Sequence, residues 1–280
     1  MSPKHLLKFI ALGFGLAMSG AVLASPLNVL WYTGGVDSDG AGGYQTAINT
    51  LAASQGWNVT YWSSGSMPTG AFNVLVIASP EGGWSTYPSY GALTAAVPTF
   101  GDREMLTGQD ADWHYINGPG PTPFDGPQGF LADSINWAGN GTGLGLVALG
   151  MDGMGICDSG PALGLTGFSA DCTGTNNVQI PGSVAGYPVN AGLTSAGLSN
   201  WSSSAHVSFW DLSSAWTAIN VNGDNDCGGA SSGFTCYVTI LSAATASGGT
   251  GSVPEPAELG MFGLGLVLIG LFAGMRRRTA

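Results

Sequence analysis

Apolar positions along this chain follow two different periods. Asn28-Val29-Leu30-Trp31-Tyr32, Phe72 to Ala78 and Gly145 to Gly150 are continuous apolar runs, the pattern of strands covered on both faces. Trp57 to Trp62 alternates and begins directly after Gly56. Between these runs Tyr44, Ala47, Ile48, Leu51 and Ala52 recur at helical spacing, and Gly56 sits where that helix would stop. A second helix is expected around Tyr87 to Ala96. A third is opened by Pro127, with Phe130, Leu131, Ser134, Ile135 and Ala138 sharing a face. Thr99 to Thr107 is a further strand, interrupted by the polar Gly101-Asp102-Arg103-Glu104, and later strands are expected at His206 to Trp210, Trp216 to Val221 and Phe234 to Leu241. Strands that alternate with helices predict an α/β domain with an open, mostly parallel sheet flanked by helices.

The polar stretches divide the chain. Thr33 to Gly43 reads as a turn rich in glycine and aspartate. Gly108 to Phe124 reads as a long loop in which Gly118-Pro119-Gly120-Pro121 prevents regular structure. From Met151 to about Asn200 the texture changes to Gly, Ser, Thr and Pro with two cysteines, a loop-rich excursion. Ala243 to Ser252 is a flexible linker. The chain has 4 cysteines. Sequence proximity favours Cys157–Cys172 and Cys227–Cys236 disulfides among the connectivities available, and no Cys-x-x-Cys spacing argues for zinc.

The two ends concern export. Lys4 and Lys8 precede an apolar stretch from Phe9 to Leu23, and Val22-Leu23-Ala24 offers small residues to signal peptidase, so residues 1–24 read as a signal peptide and Ser25 as the mature start. The exported domain is then residues 25–242. At the other end Val253-Pro254-Glu255-Pro256 is followed by an uncharged run from Leu259 to Met275 and by Arg276-Arg277-Arg278. As a helix this run reaches roughly 26 Å, enough to just span a bilayer core of about 30 Å. The arginines resist translocation and leave everything upstream outside. Residues 253–280 resemble the PEP-CTERM sorting signal of Gram-negative bacteria. That resemblance implies an exosortase as partner, initial anchoring in the inner membrane, residence in the cell envelope or extracellular matrix, and association with extracellular polysaccharide.

Charge narrows the partners. Arg103 is the only lysine or arginine between the two terminal segments, against fifteen acids, a formal charge of −14. Nucleic acid and anionic membrane surfaces are disfavoured because their recognition needs cations. Divalent cations, calcium among them, and neutral polyols remain compatible.

In an open parallel sheet, ligands bind beyond the carboxyl ends of the strands. Loops at that edge carry Asp37 and Asp39, then Glu81 and Trp84, then Gln109, Asp110, Asp112, Trp113, His114 and Tyr115, then Asp152. If extended, residues 110, 112 and 114 point the same way. They would offer two carboxylates and an imidazole to a metal or water, while Trp113 and Tyr115 offer flat faces to a sugar; a rigid surface loop is the third reading. His206 reads as a structural histidine at the start of a strand. Asp224 and Asp226 in Asn222-Gly223-Asp224-Asn225-Asp226 alternate like calcium ligands, but the glutamate that completes an EF-hand is missing, and a plain turn closed by Cys227 and Cys236 competes. Neither a Gly-x-Gly-x-x-Gly after a strand nor a phosphate loop with lysine is present, so nucleotide cofactors are not expected.

The order of elements over Leu27 to Gly150 is similar to the flavodoxin-like architecture of the class I glutamine amidotransferase-like fold, including its ThuA-like branch. That family's activity requires a cysteine in a Gly-x-Cys-x-Gly turn. Ser79-Pro80-Glu81-Gly82-Gly83 and Thr107-Gly108-Gln109-Asp110 supply none, so only the fold is implied. The expectation is an exported structural or carbohydrate-associated protein without catalysis. Two alternatives stay open: a metal-dependent glycan hydrolase using Asp110, Asp112 and His114 with Glu81 as acid or base, and a calcium-stabilised adhesion module.

Overall fold

Strand β1 (Asn28–Tyr32) buries residues to both sides. Val29 and Trp31 enter one apolar cluster, Leu30 and Tyr32 the other. β3 (Val74–Ile77) and β5 (Gly145–Ala148) are buried at every position and divide their side chains in the same way. This is why their sequences read as unbroken apolar runs. The computed structural model describes residues 25–34, 41–79, 100–117, 126–150, 162–201, 203–228 and 233–242.

Five strands form a parallel half in the order β2-β1-β3-β5-β4, with β2 at Asn58–Trp62 and β4 at Glu104–Thr107. The other half is antiparallel and completes a ten-stranded sheet. Its central member is β10 (Tyr237–Ser242), which pairs β9 (Trp216–Asn222) along one edge and β4 and β8 (Ser208–Trp210) on the other. β6 (Ser169–Asp171) pairs β8, and β7 (Val178–Gln179) pairs β9. The excursion predicted from 151 to 200 is therefore not all loop. Within 162–200 it contributes two short strands and the one-turn helix α4 (Ser195–Leu198), capped by the Thr194 hydroxyl.

Helix α1 (Ala41–Gln55) ends at Gly56, whose φ of +71° suits a residue without a Cβ. Helix α3 (Pro127–Gly139) starts at the predicted proline and buries Phe130, Leu131, Ser134, Ile135 and Ala138 as the periodicity requires. The expected helix around Tyr87 to Ala96, the linker and the terminal segments lie outside the described residues. Among the described residues no helix is long and apolar enough to cross a membrane.

One prediction is corrected. The stretch after β4 was expected to be a loop from Gly108 to Phe124, extended through residues 110 to 114; instead Ala111–Asn117 forms a helix, α2, begun by the His114 N–H bonding to Asp110 O at 3.1 Å. The helix-breaking Gly118-Pro119-Gly120-Pro121 acts only from residue 118 onward, and Ala111 to Asn117 contains neither Gly nor Pro. His206 likewise precedes β8 rather than starting it, and its N–H donates to Gly108 O at 2.7 Å.

The Cys227–Cys236 disulfide is present as predicted. Cys172 is also disulfide-bonded. Cys157, its expected partner, lies outside the described residues.

Candidate functional site

The described site begins where β4 ends. Gly108 follows the strand, and a side chain there would collide with the backbone of Val207. Only glycine allows the segment before β8 to cross the β4 turn so closely. That crossing brings His206 from the second half of the chain against Asp110 from the first. His206 Nε2 is 3.1 Å from Asp110 Oδ2, and His114 Nε2 is 3.3 Å from Oδ1.

Helical geometry, not an extended strand, pairs Asp110 with His114: the two are four residues apart, one turn along. His114 Nε2 also lies 3.2 Å from Ser203 O. A carbonyl only accepts, so Nε2 carries the proton. Asp110 Oδ1 has charge contact with His114 but no aligned hydrogen bond. Burial pushes the Asp110 carboxyl up. The two imidazoles beside it, His114 and His206, outweigh this and hold the group below the usual aspartate range. The ring of His114 is closed in by Trp113 at 4.8 Å and Trp201 at 5.5 Å between centroids. The His114 side chain is 4% exposed and that of His206 33%, so only His206 offers a surface to solvent.

Asp112 points elsewhere. Its carboxylate is fully buried and accepts from Tyr44 OH at 2.6 Å, Ser79 N at 2.9 Å and Ser79 Oγ at 2.5 Å. Tyr44 OH in turn accepts from Trp31 Nε1 at 3.0 Å. This chain of bonds ties β1, α1, the end of β3 and α2 at one point. Burial, and secondarily the charge of Asp110, raises the Asp112 carboxyl above its ordinary value against the opposing hydrogen bonds.

The predicted trio of Asp110, Asp112 and His114 is thus divided: Asp110 and His114 meet, whereas Asp112 belongs to a separate network. Gln109 is wholly buried beneath the site. Tyr115 packs on the apolar cluster and Trp113 sets its ring edge-on to His114, both half-buried. Glu81, Trp84, Asp37, Asp39 and Asp152 lie outside the described residues. Asp224 Oδ2 accepts from Thr175 Oγ1 at 2.6 Å and Oδ1 from Asn177 Nδ2 at 3.1 Å, while Asp226 Oδ1 accepts from Gly228 N at 2.8 Å. Asp224 therefore ties the 222–228 turn to the segment at 175–177, and Asp226 bonds within the turn. Among the described residues no group of three His, Cys, Asp or Glu side chains is arranged to hold a metal ion.

No local signal in the sequence marks Ser79, Tyr44 and Ser203 as partners. The signal for His206 is its scarcity, since it is one of two histidines beyond the signal segment. Among the described residues at this edge no nucleophile elbow is formed: Gln109 and Asp110 have no left-handed φ, and the Ser79 hydroxyl donates to a carboxylate, not to an imidazole. Among the described residues, a surface cleft of about 360 Å³ lies elsewhere, between Gly167–Ser169 and Asp211–Ser213.

The chain matches no family model, and neither a curated protein nor a solved structure matches it.

Proposed function

We propose that this is an exported protein of the cell envelope or extracellular matrix, sorted through a PEP-CTERM-like tail by an exosortase. Its folded part is structural or carbohydrate-associated and not catalytic. One observation carries the second statement: the described carboxylates at the strand ends already have internal partners. Asp112 has three donors on its two oxygens, and Asp110 is bonded through Oδ2 to His206 while its Oδ1, which no hydrogen bond occupies, is shut off from solvent beside His114. A general acid or base needs a lone pair or proton free to reach a substrate. The sorting statement rests on Pro254-Glu255-Pro256, the apolar run and Arg276 to Arg278.

The experiment is expression of the full chain in an exosortase-bearing host and in the same host without that enzyme. Processed protein should lack Arg276 to Arg278 only in the first. Mature protein that retains the arginines in both hosts would make the tail a plain anchor.

A second reading is favoured by one feature. His206 is a third exposed and is oriented through Nε2 by Asp110, as a histidine acid/base is oriented by a carboxylate. Release of sugar reducing ends from host polysaccharide by the purified protein, abolished in His206→Ala with folding intact, would establish a hydrolase. No release supports the non-catalytic reading.

A further inference from the structure

Gln109 is the least well satisfied buried side chain at the β4 turn. It has no exposed surface, and its Nε2 has no hydrogen-bond partner. Its Oε1 receives at most a long contact from Thr239 Oγ1, at 3.4 Å. Thr239 Oγ1 is also 2.9 Å from Thr107 Oγ1, which sits 3.1 Å from Val238 O. Two hydroxyl hydrogens face three acceptor contacts, so the contact to Gln109 is the one left weakest. Turning the amide over exchanges which end is orphaned and leaves one orphan either way. A buried amide group without a partner costs about 1–3 kcal/mol and calls for an explanation.

The backbone directs Thr239 toward this amide. Thr239 lies opposite Thr107 in the β4–β10 register, and the β9–β10 ladder shifts register on both sides of Thr239. Bulges of this kind re-aim a side chain. The result is a hydroxyl and a carboxamide in contact in a site that water does not reach.

We propose that Gln109 and Thr239 become joined by an intramolecular ester. Thr239 Oγ1 bonds to Gln109 Cδ, the Cδ–Nε2 bond breaks, and the hydroxyl proton leaves with the nitrogen as ammonia. Amide plus hydroxyl gives ester plus ammonia, with no oxidant or other reactant. In the orientation observed, the departing Nε2 is the amide end without a partner, and the dry surroundings protect the ester from hydrolysis. The bond ties the turn after β4 to β10, the last described strand, and so closes the parallel half covalently onto the antiparallel half. It does not depend on the functional reading above.

The test is the intact mass of the full chain purified from the oxidising compartment, with tail processing and disulfides accounted for, followed by peptide mapping. A mass short of one ammonia, with a branched peptide joining Gln109 to Thr239 that hydroxylamine cleaves, is the expected result. Thr239→Ser should keep the deficit and Thr239→Val should abolish it. If Thr239→Val does not fold, the wild-type and serine proteins decide alone. Wild-type protein at full mass would overturn the proposal. So would a deficit mapped to Asn117-Gly118, Asn140-Gly141 or Asn222-Gly223, where succinimide formation also releases ammonia.

Discussion

Replacing Asp112 distinguishes a structural carboxylate from a working anion. In Asp112→Ala, the Ser79 N–H loses its acceptor inside the core, and the Tyr44 and Ser79 hydroxyls lose this partner. One buried donor left unpaired costs about 1–3 kcal/mol, which in a domain of this size lowers the melting temperature by roughly 2–12 °C. Asp112→Asn has the same shape. Its Oδ1 can accept from Tyr44 and Ser79 N–H, and its Nδ2 can donate to a rotated Ser79 hydroxyl, so the network closes without a charge. Its stability should remain within about 1 kcal/mol of wild type at neutral pH. The pH dependence follows from the raised carboxyl of Asp112, whose burial disfavours the ionised form. A carboxyl whose pKa rises on folding stabilises most below its unfolded pKa and loses that contribution as pH climbs through the folded value. Wild type should therefore gain on Asp112→Asn as pH falls from neutral. Urea unfolding of the three proteins between acidic and neutral pH measures this. An asparagine variant as damaged as the alanine variant, or a wild-type difference flat in pH, would refute the reasoning and assign the negative charge itself a role.

Other perturbations have equally definite outcomes. His206→Ala removes one of the two imidazoles that hold the Asp110 carboxyl low. Asp110 contributes stability above its unfolded pKa and loses it as pH falls through the lowered folded value, so the variant should unfold at higher pH in an acid titration followed by circular dichroism. Cys227→Ser with Cys236→Ser opens a loop of sequence separation 9; chain entropy assigns this about 2.5 kcal/mol, read as a lower urea midpoint. Gly108→Ala drives a methyl group into the Val207 backbone and should cost about 3 kcal/mol, with loss of the His206-to-Gly108 bond visible in amide hydrogen exchange.

Much of the parallel half was legible because burial on both faces writes itself as unbroken apolar runs, and β1, β3 and β5 are such runs. Helix α3 was legible through Pro127 and its spaced apolar residues. Helix α2 was not, since seven residues with glycine and proline close behind carry little local signal; its helical state comes from packing. That single difference redistributed the candidate site, placing Asp110 one turn from His114 and turning Asp112 inward. The meeting of His206 with Asp110 could not be read locally either. It depends on a crossing at Gly108 between segments 96 residues apart, and an isolated glycine does not announce which strand approaches it. The turn at 222–228 was legible, whereas the bonds of Asp224 to Thr175 and Asn177, 49 and 47 residues away, were not.

The position of β10 also governs how a chain like this can be made. β4 lies at the end of the parallel half, and its outer edge is covered by β10, with Thr107 bonded to Val238 across 131 residues. Until the polypeptide has been synthesised past Ser242, β4 presents bare N–H and C=O groups to any other strand it meets. Contacts of such separation form slowly, on a scale of roughly milliseconds to seconds. A nascent chain therefore holds an open edge for as long as its final described strand is missing, and a truncation that removes only β10 should produce intermolecular strand pairing, not a smaller folded domain.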